Sequence, residues 1–347
     1  MSARLLAQAA PATRRIALLG VGNVGRAFLA RLAQAPVPAG RLCLLARSGR
    51  RLDDPAGLVG DWPAALAAAP AHDGDGELPD WLQPGDAVVD ATASPVLAAW
   101  HPRWLRRGLR VVTANKLGLG GPLLRQREIA ARVAAGASYG DSATVGAGLP
   151  LLRSVRALRA GGDQVHAIAG VLSGTLAWLF DGWDGSEPFS ARVRAAVARG
   201  YAEPDPRTDL SGEDVRRKLL ILARAAGHAL QSPEVRVQSL LNRALRAAGD
   251  GAALSGALAT LDAPMAARLR EARATGRVLR FVARFDAHGG RAGLELLAPD
   301  DPLAGGRGTD NRVAIWSCRY RDQPLVIQGP GAGADITAAA LLDDLLR

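Results

Sequence analysis

The sequence of 347 residues predicts an α/β protein with two units. The first, residues 1–140 completed by 329–347, reads as a doubly wound parallel sheet. The second, residues 141–328, reads as α+β. Three observations predict this division. Short apolar strands alternate with helices over the first 113 residues, the signature of a parallel sheet. A glycine-rich turn joins the first strand to the first helix. Beyond about residue 140 the pattern changes to helices followed by three strand-like runs. A chain of this length also suggests about two domains.

Taken in order, Arg15–Leu19 is a strand that ends in Gly20-Val-Gly22-Asn23-Val24-Gly25. A helix follows from Asn23 to Gln34, with apolar Ala27, Phe28, Ala30 and Leu32, and the prolines and glycine of 35–40 end it. Arg41–Ala46 is the second strand and Arg47–Arg51 the loop after it. Residues 53–80 are rich in Asp, Gly and Pro around an alanine-rich helix at 63–69. Pro84-Gly85-Asp86 is a turn, 87–91 a buried strand, 95–107 a helix and 110–113 another strand. Thr144–Pro150 is a glycine-rich loop that opens a helix. A strand at 164–169 precedes Ser173-Gly174 and a helix at 175–181, and helices dominate 190–275. Strand-like runs lie at 278–285, 292–297 and 312–319, and a last glycine-rich segment, 329–333, leads into a helix that closes the chain.

Composition narrows the function classes. Hydrophobic content of 48% and charged content of 22% are ordinary for a globular protein. The net charge of +10 comes from arginines spread along the whole chain, with no basic tail and no basic strip interleaved with aromatics. This argues for a solvated surface and against a nucleic-acid partner. Residues 1–13 lack the form of a secretory leader, and no run is long and apolar enough to span a membrane. Cys43 and Cys318 lie in apolar, strand-like runs, which predicts two buried thiols in a reducing compartment. A cytoplasmic protein is expected.

The glycine turn has the context that makes Gly-x-Gly-x-x-Gly informative: it follows a strand and opens a helix. Gly20 permits the tight turn, Gly22 lets backbone approach a pyrophosphate, and Gly25 lets helix pack on strand. The helix N-terminus then faces negative charge. This is a Rossmann-type arrangement, and it implies a dinucleotide. At the end of the second strand an acidic residue would hold a ribose 2′-hydroxyl. Here Arg47, Ser48, Arg50 and Arg51 stand there instead. Arginine suits a 2′-phosphate through charge-assisted bonds, so NADPH is expected over NADH, with Arg47 and Arg50 as the discriminating pair.

Lysine is the rarest charged residue. Of 43 basic residues only Lys116 and Lys218 are lysines. Arginine stays charged, whereas a lysine ammonium can give up its proton. Pro204 and Pro206 force the segment holding Glu203 and Asp205 to be extended or turned. Ser211–Asp214 has the pattern of a capping box, which makes Asp214 a cap partner of a helix running from Gly212 to Ala226. On that helix Asp214 and Lys218 share a face with Val215, Ile221 and Leu222, while Arg216, Arg217 and Arg224 are expected toward solvent. Glu203, Asp209 and Asp214 form a carboxylate cluster that suits a substrate ammonium. A divalent metal is an alternative, but no histidine is close in sequence.

Tyr201–Lys218 resembles the signature of homoserine dehydrogenases almost residue for residue. Gly20–Gly25, Thr113–Lys116, Val145–Pro150, Gly170–Thr175, Gly308–Asn311 and Gly331–Gly333 extend the likeness over residues 14–347. It is nearest the dehydrogenase portion of bifunctional aspartate kinase–homoserine dehydrogenases. The resemblance implies reversible NAD(P)H-dependent reduction of L-aspartate 4-semialdehyde to L-homoserine, on the route to threonine, methionine and isoleucine. It implies Lys218 as proton donor and Lys116 as a second catalytic lysine near the nicotinamide. Glu203 and Asp214 would bind the substrate amine with support from Asp209, and Thr92 and Gly333 would contact cofactor. It also implies a sodium site on the main-chain carbonyls of Ser142, Val145, Ala147 and Leu149, where Ser142 stands in place of a frequent glutamate. A homodimer through the second unit, which is the substrate domain, is implied as well. Neither a kinase domain nor a regulatory ACT module is expected, and so no threonine feedback through such a module. Other readings stay open at this point: a related NADPH-dependent dehydrogenase for another amino-bearing aldehyde or acid, or an NADPH-binding protein without turnover.

Overall fold

The structure, a computed structural model, describes residues 14–35 and 39–347. The reading of 1–13 as lacking a leader, and residues 36–38 of the first helix break, lie outside the described residues.

Six strands form the first sheet: β1 (Arg15–Leu19), β2 (Arg41–Arg47), β3 (Arg50–Asp53), β4 (Ala87–Asp90), β5 (Arg110–Thr113) and β6 (Tyr139–Gly140). Their order is β3-β2-β1-β4-β5-β6, and all neighbours are parallel except β2 and β3. β1 and β4 are buried almost end to end because both faces of the sheet are covered. Ile16 and Leu18 pack with Phe28, Leu341 and Leu345 on one face, whereas Ala17 and Leu19 join Trp104 and Leu105 on the other. The chain leaves β1 toward β2 and later returns to the other side of β1 as β4. That reversal places a crevice at the carboxyl ends of β1 and β4, where such sheets bind ligands.

The second sheet comprises β7 (Val165–Val171), β8 (Val235–Val237), β9 (Val278–Asp286), β10 (Gly289–Leu297), β11 (Asp310–Ser317) and β12 (Leu325–Pro330), in the order β12-β11-β7-β9-β10-β8. Its pairs are antiparallel apart from β8 with β10. The helix Glu213–Ala225 packs against this sheet and against the short helix Leu117–Gly120 of the first unit. The closing helix Ala334–Leu346 returns to the first unit and lies against Asn23–Ala33. Asp344 anchors it, accepting from the Ser142 amide and hydroxyl at 2.8 Å each. Burial raises the pKa of that carboxyl.

Several expectations need correction. Arg47–Arg51 is not a loop: Ser48 and Gly49 (φ +75°) make a two-residue turn, and Arg50 and Arg51 lie on the antiparallel strand β3. Gly329 and Pro330 pair within the second sheet, so the chain crosses to the first unit only after Pro330. The helix Leu123–Ala134 and the short strands β6, β8 and β12 had no reading of their own in the sequence. The capping box does not form. Gly212, at φ +76°, caps the helix without a side-chain bond, and the Ser211 hydroxyl accepts from the Glu213 amide instead. Arg224 is buried rather than solvated, because its guanidinium donates to the carbonyls of Leu230, Leu119 and Gly121. Cys43 is buried as expected, but Cys318 is exposed, with its sulfur 3.3 Å from His166 Nε2. No helix among the described residues is long and apolar enough to cross a membrane.

The third fingerprint glycine is required sterically. A Cβ at Gly25 would sit 1.9 Å from the Gly20 carbonyl oxygen. Gly25→Ala is therefore expected to destabilise the first unit by about 1–3 kcal/mol or more, the usual cost of overpacking. Chemical denaturation with the helix signal as readout checks this.

Candidate active site

Two neighbouring regions hold most of the residues singled out by sequence. The first is a cleft of about 380 Å³ at the carboxyl ends of β1, β2 and β4. Gly20, Arg47, Ser48 and Thr92 line it together with Arg51 and the 72–78 segment. Gly20 needs its left-handed φ of +94°, and a Cβ there would lie 2.7 Å from Thr92 Cγ2. Gly22 caps the helix Asn23–Ala33 with no side-chain bond to its first amides. A Cβ on Gly22 would meet no atom within 4 Å, so the space over those amides is open. Free amides, a helix N-terminus and an open approach fit a pyrophosphate. Asn23 and Val24 supply the first turn of that helix.

Arg50 does not share this cleft. Alternation along β3 turns it the other way, and its guanidinium donates to the Ala69 carbonyl. Arg51 takes the place expected of Arg50, with its Nε 3.2 Å from Asp53 and its Nη1 3.5 Å from His72 Nε2. Gly333, at φ +123°, caps the closing helix, and a Cβ there would also meet open space.

The second region lies where the two units meet. Lys218, on the second turn of Glu213–Ala225, is only 8% exposed. Its ammonium donates to the Leu172 carbonyl at 2.8 Å and to Asp214 Oδ2 at 2.9 Å. An ammonium has three protons, so one remains for a ligand. Lys116, in the turn after β5, places Nζ 3.4 Å from the other oxygen of Asp214. Asp214 thus bridges both lysines rather than capping the helix. Burial works against its charge, but the Lys218 and Lys116 ammoniums outweigh burial and hold the carboxyl well below the usual carboxylate range.

Asp209 is committed to the protein. One oxygen accepts from the Glu203 amide at 2.9 Å, and the other lies 2.8 Å from the Thr175 hydroxyl. Burial pushes its pKa up. The Glu203 backbone is thereby fixed while its side chain stays exposed. Asp205 pairs with Arg207, which also reaches Asp250 and the Ala248 carbonyl, so it serves the loop.

Sequence reasoning missed a buried group behind Lys116. Asp90, His101 and Asn115 are at most 1% exposed and are hydrogen-bonded together. No spacing signal marks them, since they come from a strand end, a helix and a turn. The loop nominated for sodium contains Ala147 at φ +51°, the one non-glycine residue with positive φ among those described. Val145 and Ala147 are buried, and Ser142 is tied to Asp344. The Leu149 carbonyl already accepts from the Leu151 amide. Among the described residues no group of three or more His, Cys, Asp or Glu side chains is placed to hold a metal ion. A larger open cavity of about 710 Å³ around Arg159, His166 and His228 is lined by none of the nominated residues.

Comparison with known proteins places this geometry. Residues 150–346 match the family model described as homoserine dehydrogenase, and residues 20–139 match that of the homoserine dehydrogenase NAD-binding domain. The homoserine dehydrogenase of Emericella nidulans is 39% identical over 359 residues, covering 96% of this chain and 97% of its own. A chloroplastic bifunctional aspartokinase/homoserine dehydrogenase of Zea mays is 40% identical over 269 residues, covering 76% of this chain. The chain spans only 29% of that bifunctional protein's length. A crystal structure of a Candida auris protein of unknown function superposes with a TM-score of 0.85 at 34% identity, covering 95% of this chain and 96% of that one.

The Asp214 bridge carries a pH signature. Its folded-state pKa is depressed, so its stabilisation is present above the unfolded value of about 4 and is lost as pH falls toward the folded value. Asp214→Asn is expected to melt several degrees below the parent at neutral pH, with the gap narrowing as pH drops below about 4. Melting curves across that range check this, and a pH-independent gap would count against the bridge.

Proposed function

This chain belongs to the homoserine dehydrogenase family, and from that premise we propose that it reduces L-aspartate 4-semialdehyde to L-homoserine with a nicotinamide cofactor, reversibly. The observation that carries the reading is the Lys218 ammonium, buried, aimed by Leu172 and Asp214, and left with one free proton.

The bound nicotinamide supplies hydride to the aldehyde carbon in reduction and accepts it in oxidation. The chain's own task is to hold the aldehyde and manage the oxygen. Lys218 stabilises the negative charge developing on that oxygen and donates the proton to it. Asp214 orients the lysine. Lys116, tethered to the same carboxylate, adds a second positive charge from the side of the first unit. Because Asp214 already serves two ammoniums, Glu203 is the carboxylate most open to the substrate's amino group, with Asp209 fixing its backbone.

We assign residues 14–140 and the closing helix to cofactor binding, and 141–328 to the substrate. NADPH is proposed over NADH, with Arg47, Ser48 and Arg51 as the 2′-phosphate contacts and Thr92 and Gly333 near the cofactor. The sodium proposal rests on the strained Ala147 backbone. It is also supported by the Val145 and Ala147 carbonyls, which receive no amide among the loop and turn hydrogen bonds of the described residues. A cytoplasmic homodimer joined through the second unit completes the reading.

Three variants test it. Lys218→Ala is expected to lower kcat by about 10²–10⁴-fold while cofactor affinity holds. Lys218→Arg is expected to fail similarly, since arginine keeps its proton. Steady-state assay with aspartate semialdehyde, alongside cofactor titration, separates this from loss of binding; an active Lys218→Arg variant would remove the proton-donor role. Arg51→Ala is expected to weaken NADPH by about 10–10²-fold, the worth of a charge-assisted hydrogen bond, with NADH nearly unaffected. Equal losses for both cofactors would reject the 2′-phosphate assignment.

A further inference from the structure

We infer that Asp90 and His101 are positioning residues that set Lys116 against the cofactor through Asn115, an inference that rests on Lys116 being a catalytic lysine. Asp90 ends β4 at the floor of the cleft and has no exposed surface. No lysine or arginine pairs with it among the described residues, and the ring facing it is the His101 imidazole. A carboxylate so buried is tolerable only if its lone pairs are filled. Here four donors fill them. The Thr92 amide and hydroxyl reach Oδ1 at 2.9 and 2.6 Å, and Asn115 Nδ2 and His101 Nε2 reach Oδ2 at 2.9 Å each.

Each donor fixes something the reaction uses. Thr92 lines the cofactor cleft. Asn115 spans two loops: its Nδ2 also donates to the Ser94 carbonyl at 2.9 Å, and its Oδ1 accepts from the Leu117 amide at 3.1 Å. The Asn115 amide donates to the Thr113 hydroxyl at 2.8 Å. Lys116 therefore sits between the buried asparagine and Leu117, whose amide that asparagine holds. Beyond it, Arg224 clamps the carbonyls of Leu119 and Gly121 to the helix that carries Lys218. The backbone of Lys116 is thus registered on one side by Asp90 and on the other by Arg224.

His101 completes the carboxylate's shell. Donation from Nε2 to Asp90 assigns the proton to that nitrogen, so Nδ1 accepts from the Tyr139 hydroxyl at 2.9 Å. Burial raises the Tyr139 pKa well above its ordinary value, so the phenol keeps the proton it donates. The cluster leaves no room for side chains nearby: a Cβ on Gly118 would lie 2.5 Å from the Tyr139 hydroxyl and 2.8 Å from His101 Nδ1. Losing the imidazole donor would free one oxygen of Asp90 to turn, and Asn115 and Lys116 would follow. A misplacement of about 1 Å at a reacting group costs on the order of 10²-fold in rate.

A double-mutant cycle tests the inference. His101→Ala is expected to lower kcat by about 10–10²-fold with little change in the KM for aldehyde. His101→Gln, which can present an N–H to Asp90, should recover most of the loss. In a Lys116→Ala background the same His101 changes should have almost no further effect, because the group they position is gone. Should His101→Ala fail to fold, Tyr139→Phe removes only the outer hydroxyl and is run through the same cycle, with a smaller loss that also vanishes in the Lys116→Ala background. Losses of equal size in both backgrounds would make the network merely structural and overturn the inference, as would unchanged kcat in the single variants. Wild-type kcat in Lys116→Ala alone would instead remove the catalytic reading of Lys116, and the inference with it.

Discussion

A lysine ammonium with 8% of its surface exposed is stable only beside a counter-charge, and the arrangement of the whole molecule follows from supplying one to Lys218. Asp214, one turn earlier on the same helix, lies 2.9 Å away, and the Leu172 carbonyl at the end of β7 lies 2.8 Å away. The helix must therefore dock against the end of β7. Asp214 also reaches Lys116 of the first unit, so one carboxylate ties the chemistry of both units together. Two ammoniums share that one carboxylate, so the bridge leaves a net positive charge facing the site.

The first unit contributes the floor of the cleft, and the second the buried lysine proposed to donate the proton. The sheet order brings the carboxyl ends of β1 and β4 side by side, and the crevice between them meets the helix carrying Lys218 through the segment 115–121. That segment has glycines at 118 and 120 because there is no space for side chains. A Cβ on Gly118 would strike Tyr139 and His101, and one on Gly120 would lie 3.0 Å from the Arg217 carbonyl oxygen. Close packing at this seam fixes how far apart the cofactor cleft and the buried lysine stand.

Much of this was legible in the chain. In the glycine turn Gly20 and Gly25 answer to local sterics, whereas Gly22 faces open space, and the 214–218 pair was legible because helical spacing alone puts both residues on one face. Readings failed where a partner was distant in sequence. Arg224 looked solvated by periodicity, yet the carbonyls that bury it lie about a hundred residues away at Leu119 and Gly121. His101 carried no signal in the sequence, yet it meets Asp90 and Tyr139 from separate elements. Arg50 and Arg51 were misjudged because a two-residue turn hid a strand, and strand alternation sends neighbours to opposite faces. β12 escaped notice as a half-exposed strand that ends in Gly-Pro.

The direction of the Lys218 amine with substrate and nicotinamide both present decides the mechanism. A crystal structure of the ternary complex with homoserine measures it directly. Nζ should lie about 2.6–3.2 Å from the substrate hydroxyl oxygen, on the side of Asp214. An amine turned away from that oxygen, with another proton donor in its place, would contradict the mechanism.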